Sequence, residues 1–561
     1  MSSGFYGGTL FRFPLRKWPS RLSSKSYTTT KVKALFEAFI EEARLILLFL
    51  KNIDTIGIYE TSWNDKEKNI FSVCIKESLK ASIRDIKQKF IQMALRPYCP
   101  PYEMSYEVEI EEFRTGVYKQ EHKFMITNRA GSESKRLMEL ASILHHLPWV
   151  GVATPLDFNS AKVDFGKGRV FCYLPLPPES DVRTGFNVHI QASFGLTDNR
   201  RNLKWPGPEC QNDDSAEWNI LLLNDMISKA YSNHVYNLTQ LKYSSKDIVQ
   251  IVNSIIPNMD IVQGHWRNVL EPLFRDLSDK AVFWSNSCGG RWISLKEAVI
   301  DRLADPSANI PLDVSDVVLK VLKEAGEPVI TPPVHAMKAI DKYVFPIYST
   351  IQEITPSYVR KVLKRETTDS RKGFPTNQLE YSPRSHHLGS QRWTATRKLL
   401  SQTSSVTQND QNNDGLQGQA SFIWHSLLDT SEKLLLLKFI VKDEDFADLK
   451  GIPLLPLADK TFAKFHPNRY STDPNSAIFI ASRNNPQALF YGGLERFLDE
   501  TIDSDLYECL RKVALDPDNH NKSSISPTQL VILTVSLVPG LLSESLPHDW
   551  KNPNLAQVLF F

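Results

Sequence analysis

Cysteine is scarce in this chain. Its 561 residues hold six, at Cys74, Cys99, Cys172, Cys210, Cys288 and Cys509, and no two stand in a CxxC spacing. So few and so scattered, they exclude a disulfide framework and read as small buried residues in a reducing compartment. A charge surplus is missing too: 66 Lys and Arg stand against 64 Asp and Glu, a net of +2. That balance creates no global field to draw in nucleic acid or a membrane surface, so neither is expected as a partner. Long apolar runs are also absent. The two longest, 45–50 and 530–542, fall short of the roughly 20 residues a membrane span needs, and Pro539 interrupts the second. Residues 1–20 alternate aromatic, basic and proline side chains without an apolar centre, so no secretory signal is visible. The expected location is cytoplasmic, and the glycosylation-like triplets at Asn237 and Asn521 read as chance.

Signatures of catalysis are missing as well. There is no GxxxxGK[ST] loop to cradle a triphosphate and no GxSxG elbow to carry a nucleophile. Gly166-Lys167-Gly168 is a lone GxG of the kind found in hairpin turns. His145-His146 and His386-His387 lack the third and fourth ligands that zinc requires, so no metal is expected. By its residues alone the chain needs no cofactor.

What is present is ample material for packed cores, with 42% hydrophobic and 23% charged residues. At roughly 150 residues each, the length predicts three or four domains. Residues 31–50 carry Val32, Leu35, Phe36, Phe39, Ile40, Ala43, Ile46, Leu47 and Leu50 at the three-and-four spacing of one apolar helix face. Alternating strands are predicted at 56–59, 71–75, 106–110, 123–127 and 149–153, with a helix at 135–146. Helical periods follow at 218–234, 247–256, 265–277, 295–303, 314–325 and 356–364, broken by prolines. A polar stretch rich in Ser, Thr, Asn and Gln then reads as a disordered linker. Order resumes with a helix at 434–441, a strand–turn–strand at 452–462 and a strand at 477–481. The fold class is α+β, a mixed α/β multidomain chain. Its expected parts are 1–20 (one strand of a domain whose larger part is missing), 31–237 (an α/β lobe), 238–365 (mainly helical), 366–420 (the linker) and 421–561 (a further α/β module). No internal repeat of 20 to 50 residues is evident.

The stretch 169–205 carries the clearest candidate site. Arg169 to Leu174 is a strand-like run closed by Pro175, a proline-rich loop follows, and Phe186 to Ile190 alternates as a half-buried strand does. The stretch ends in Asn199-Arg200-Arg201-Asn202, a cationic turn just after that strand. A guanidinium cannot deprotonate and suits charge on a phosphoryl group. Two arginines bridging carboxylates such as Glu209 or Asp213 would look the same. Trp205 and Trp218 flank the turn, either as a protein-binding patch beside the arginines or as core.

The wording FCYLPLPPES…TGFNVHIQASFGLTDNRRNLKW, followed by Ala216-Glu217-Trp218-Asn219, resembles the repeat region of the sacsin family. Gly8-Thr9-Leu10-Phe11-Arg12-Phe13-Pro14-Leu15-Arg16 is similar to the last strand of the ATPase lobe of ninety-kilodalton heat-shock chaperones (the GHKL type), whose modules that family repeats. Residues 36–60 resemble the helix and strand opening the next lobe. The resemblance implies a cytosolic chaperone or co-chaperone in protein quality control. It also implies client proteins as partners, with links to the seventy-kilodalton heat-shock chaperone and the proteasome. It makes Thr9 an adenine-side candidate, or else only a β-branched strand residue, and makes Arg200 and Arg201 phosphate-reaching candidates. The ATPase's magnesium-binding Asn helix and DxGxG turn are not found, so ATP and magnesium enter only if a nucleotide lobe is supplied. The alternatives are part of an ATP-hydrolysing enzyme whose nucleotide lobe is missing, and a scaffold without chemistry.

Overall fold

A computed structural model describes residues 26–533 except 62–66, 96–99, 117–118, 157–167, 178–182, 208–212, 306–307, 370–425, 444–448, 466–476, 481–493 and 516–529, with ten scattered positions before residue 26. The chain is mixed α/β and divides into two compact units. The first is Met1–Val282 with Pro332–Ser349; the second is Phe283–Thr331 with Thr350–Phe561. This division runs through the span 238–365. The expected linker and His386-His387 lie almost wholly outside the described residues, as do Gly166, Lys167 and most of the strand expected at 1–20.

The first unit opens with α1 (Thr29–Phe49), capped by the Thr28 hydroxyl accepting from the Lys31 amide at 3.3 Å. Then come β1 (Thr55–Glu60), β2 (Lys68–Ile75), α2 (Glu77–Ala94), β3 (Tyr102–Arg114), β4 (Gln120–Ala130), α3 (Lys135–Ile143), β5 (Trp149–Pro155), β6 (Val170–Cys172), β7 (Leu174–Pro175) and β8 (His189–Ala192). They form one eight-stranded sheet in the order β1-β2-β3-β4-β5-β8-β6-β7. β1 to β5 meander antiparallel, and β8 enters between β5 and β6, pairing parallel with β6.

One sheet face packs under α1 and α2 through Ile40, Ala43, Leu47, Ile83, Phe71, Val73, Val108 and Ile110. The opposite face near β3 to β5 lies under a long helical run: α4 (Asp214–Leu221), a π-helical turn (Leu222–Ile227) and α5 (Ser228–Thr239). Fully buried His234 on α5 ties the layers together, its ring nitrogens 2.9 Å from the Thr127 hydroxyl on β4 and 2.8 Å from that of Thr154 on β5. Burial holds this imidazole neutral, its pKa pushed down to about 3. Central strands are therefore covered on both faces, and β8 with its approach is a correction to the half-buried strand expected at 186–190. Phe186, Val188, His189, Ile190 and Gln191 are all buried, because helices flank the sheet there. α6 (Ser245–Ile255), a 3₁₀ turn (Gly264–Val269) and α7 (Leu270–Ser278) complete this run.

The second unit contains β9 (Phe283–Ser285) and β10 (Arg291–Ile293) as a hairpin, then β11 (Val299–Ile300) and α8 (Leu312–Glu324). β12 (Val329–Ile330) follows, before the chain returns to the first unit as α9 (Val334–Tyr343). There the His335 ring lies 2.9 Å from the Ile256 carbonyl. Back in the second unit come β13 (Gln352–Glu353) and α10 (Pro356–Asp369). β11 lies between β12 and β13, parallel to both. This corrects the helix expected at 295–303. Two buried β-branched residues, Val299 and Ile300, take the centre of a small parallel sheet, a short apolar run that periodicity cannot separate from a buried helix. α11 (Thr430–Ile440), whose capping box joins Asp429 and Glu432, packs into the same core as α8, α10 and α12 (Ser504–Leu515). Two further strand pairs, 455–456 with 462–463 and 478–480 with 530–532, finish the unit.

Candidate functional site

The segment leaving β8 turns back on itself as a tight hairpin. Leu196 bridges Leu203, the Thr197 amide donates to the Asn202 carbonyl at 2.9 Å, and the Lys204 amide donates to the Gly195 carbonyl at 3.0 Å. The Thr197 hydroxyl donates to Asn199 Oδ1 at 2.8 Å, which also accepts the Arg201 amide at 2.9 Å. Arg200 sits at φ 56°, the left-handed conformation this turn requires. Asn and Asp in TDNRRN supply the local side-chain bonds that make such a turn favourable.

Its base is locked to α4. Fully buried Asn219 accepts the Gly195 amide at 2.8 Å and donates to the carbonyls of Gly195 and Lys204, each at 2.8 Å. The Trp218 indole donates to the Ser193 carbonyl at 2.8 Å. A Cβ on Gly195 would stand 2.8 Å from the Ser215 carbonyl oxygen, so only glycine lets the hairpin meet the helix this closely. The Lys204 ammonium lies 3.2 Å from Asp213, the cap of α4. Burial pushes the Asp213 carboxyl up, but Lys204 and two backbone amides outweigh that and hold it below its ordinary value.

Each residue singled out from sequence can now be placed. Arg200 and Arg201 are exposed at the hairpin tip, and among the described residues neither guanidinium makes an ion pair or side-chain hydrogen bond. Asp213 pairs with Lys204, not with either arginine, and Glu209 lies outside the described residues. Trp205 is half-buried, stacked on His265 at 4.7 Å and edge-on to Trp266 at 6.2 Å. Trp218 is completely buried, and the reading of it as an exposed patch residue is corrected: it is core, edge-on to His146 at 5.7 Å. Thr9 is exposed, and the structure brings no described site residue to it. Burial pushes the neighbouring Cys172 thiol up, leaving it a weak nucleophile.

Among the described residues no group of three or more His, Cys, Asp or Glu could hold a metal ion. No helix among them is long and apolar enough to cross a membrane. An open cleft of about 770 Å³ between α5, α7 and α9 presents Lys229, Arg275 and Lys342 beside Glu271 and Asp276. Its charges mostly satisfy one another, with Glu271 2.6 Å from Arg275 and Lys229 2.7 Å from Asp225, so it favours no single ligand charge.

Sequence reasoning passed over one surface. The apolar row of α1 splits in two: Ile40, Ala43 and Leu47 are buried, whereas Leu35, Phe36 and Phe39 remain 59%, 45% and 37% exposed. The periodicity marked the whole row as core-facing, and only the fold shows which part of it is covered.

A family model described as "Sacsin domain" matches residues 1–72. Human sacsin is 29% identical over 577 aligned positions, which cover 99% of this chain but 11% of sacsin. The chain thus spans about a ninth of that relative's length. No solved structure matches. From its first described strands to its last, the chain is sacsin-like in sequence.

Proposed function

We propose that this chain is a client-holding module of a sacsin-like chaperone or co-chaperone, acting without a nucleotide site of its own. The observation that carries this reading is the exposed aromatic and leucine row Leu35, Phe36 and Phe39 on a folded, capped helix. Large apolar side chains grouped in this way mark surfaces that meet other polypeptides. Non-native proteins expose the same chemistry, and burial at roughly 25 cal/mol per Å² would reward the contact. Similarity to sacsin along the whole chain agrees with a role in protein quality control, in a cytosolic setting and alongside the seventy-kilodalton heat-shock chaperone and the proteasome. The test is suppression of thermal aggregation of a model substrate protein. The chain should slow aggregation at near-stoichiometric ratios, and the triple variant Leu35→Ser, Phe36→Ser, Phe39→Ser should lose that effect while unfolding at an unchanged temperature. An undiminished effect in the triple variant would remove the reading.

A second reading has its own observation: two exposed arginines, without ion-pair partners among the described residues, on a hairpin clamped to α4. Such a device could reach an anionic group, a phosphoryl group included, presented by a neighbouring lobe. Joined to a related nucleotide lobe, Arg200→Ala or Arg201→Ala should lower kcat strongly and leave nucleotide affinity nearly unchanged.

A further inference from the structure

α8 turns two sides to different surroundings. Val314, Val317, Val318, Val321 and Leu322 face the core of the second unit. Leu312, Asp316 and Leu319, four and three residues apart, form a stripe on another side of the helix. That stripe is one wall of a cleft, and Asp301, Leu303, Asp305 and Ile310 from the preceding loop line it as well. The space amounts to about 430 Å³, inside the range of about 300–1,000 Å³ typical of ligand clefts. Its floor is apolar: Leu303 is buried, Ile310 and Leu319 are partly buried against the core, and Leu312 is 77% exposed.

Its rim carries charge of one sign. Asp301, Asp305 and Asp316 line the cleft, and among the described residues no Lys or Arg does. Asp301 accepts from neutral donors, the Leu303 amide at 2.9 Å and the Thr331 hydroxyl at 3.1 Å, so these bonds leave its charge in place. Lys442 reaches the backbone nearby, donating to the Ala308 carbonyl at 2.7 Å, one cation against three carboxylates. An apolar floor under an acidic rim suits a segment that joins large apolar side chains to lysine and arginine. The chain itself holds one. Between residues 371 and 400 stand Arg371, Lys372, Arg384, Arg392, Arg397 and Lys398 against one acid, Glu380. The densest part is 391–400, QRWTATRKLL, where the last three of those cations accompany Trp393, Leu399 and Leu400.

The stretch that carries this segment is held to α8 at both ends. Arg365, near the end of α10, lies 3.1 Å from Glu327, just past the C-terminus of α8. Glu432, in the first turn of α11, lies 2.7 Å from Lys320, the neighbour of Leu319 on α8. The 13 residues of α8 span about 20 Å. A chain of 24 residues, the distance in sequence from Asp369 to Trp393, spans about 25–30 Å. Tethering at that range supplies a local concentration of order millimolar, so a modest contact is enough. We propose that residues 391–400 of this chain dock in the acidic cleft beside α8. Trp393 and Leu400 lie over Leu312 and Leu319, and Arg392, Arg397 and Lys398 face the three carboxylates. The tether favours the chain's own segment over an outside one, so a foreign basic peptide enters only by displacing it. This inference stands independently of the client-holding reading of α1.

The test places a photoreactive phenylalanine analogue at Trp393 of the full chain. Irradiation should give adducts within one chain, mapped by mass spectrometry to residues 301–319. Arg397→Glu with Lys398→Glu, a pair outside the described residues, should cut their yield at least about fivefold. Asp305→Lys with Asp316→Lys should do the same, and combining the two pairs should restore most of the yield. Restoration separates charge pairing from any loss of folding in the cleft variant. Adducts that map elsewhere in the chain overturn the proposal, and so does a complete absence of adducts. Adducts chiefly between two copies overturn it as well, because the occupant would then be a second chain. So do yields indifferent to both charge reversals.

Discussion

Asn219 at the base of the hairpin and Arg200 at its tip predict opposite results. Asn219 satisfies three buried backbone groups at once, so Asn219→Ala strands the Gly195 and Lys204 polar groups. It should cost about 2–4 kcal/mol and lower the unfolding temperature of the sheet unit by several degrees. Arg200→Ala and Arg201→Ala remove exposed cations without described ion-pair partners and should change stability by no more than about 0.5 kcal/mol. Calorimetry on the three variants separates clamp from tip. Histidine makes a third residue-scale prediction. Burial holds His234 near 3, and burial with the nearby Arg169 and Arg44 charges holds His189 near 4. Both folded values lie below the free value of about 6.5, so the unfolded chain binds the extra protons. Their stability contribution is complete above about pH 6.5 and falls as acid lowers the pH toward about 4. The slope approaches 1.4 kcal/mol per pH unit for each group. His234→Gln, which can keep a bond to one threonine hydroxyl, should roughly halve that slope in denaturant titrations between pH 6.5 and 4.5.

Elements were legible where one periodic signal decided them. α1 announced itself through its apolar row, and β3, β4 and β5 through alternating β-branched and aromatic residues. α2 was not read at all, because lysine-rich ESLKASIRDIKQKF buries few positions, Ile83 and Phe90 among them. Val299-Ile300 was taken for helix because a two-residue central strand gives periodicity nothing to work on. In the candidate site, the arginine turn was found from its residues. Its clamp was not, since Asn219 meets Gly195 only across a 24-residue separation. The exposed N-terminal part of α1 was likewise invisible, because Leu35, Phe36 and Phe39 follow the same apolar spacing as the buried Ile40, Ala43 and Leu47.

For the whole molecule, the sacsin-like sequence extends over 99% of the chain, further than the motifs alone suggested. The second unit is built from segments on both sides of residues 370–425. Fully buried Arg360 on α10 donates to Asp443 through two nitrogens at 2.7 and 2.9 Å and to the Ile440 carbonyl at 2.6 Å. α8, α10, α11 and α12 share one apolar core around this contact. The polar composition of 366–420 predicts first cleavage there under limited proteolysis. The two products should nevertheless co-elute, and Arg360→Leu should weaken their association by about 3–5 kcal/mol. Separation of the unmutated products would show that this core is not continuous.

The central claim is that the exposed apolar row near the N-terminus of α1 holds non-native polypeptide, and site-specific photocrosslinking tests it most directly. A photoreactive phenylalanine analogue is placed at Phe36 or Phe39, and at exposed Glu139 as a control, with a reduced and unfolded model protein present. The account predicts adducts from positions 36 and 39 and little from position 139. Equal labelling from all three positions, or none from α1, would contradict it.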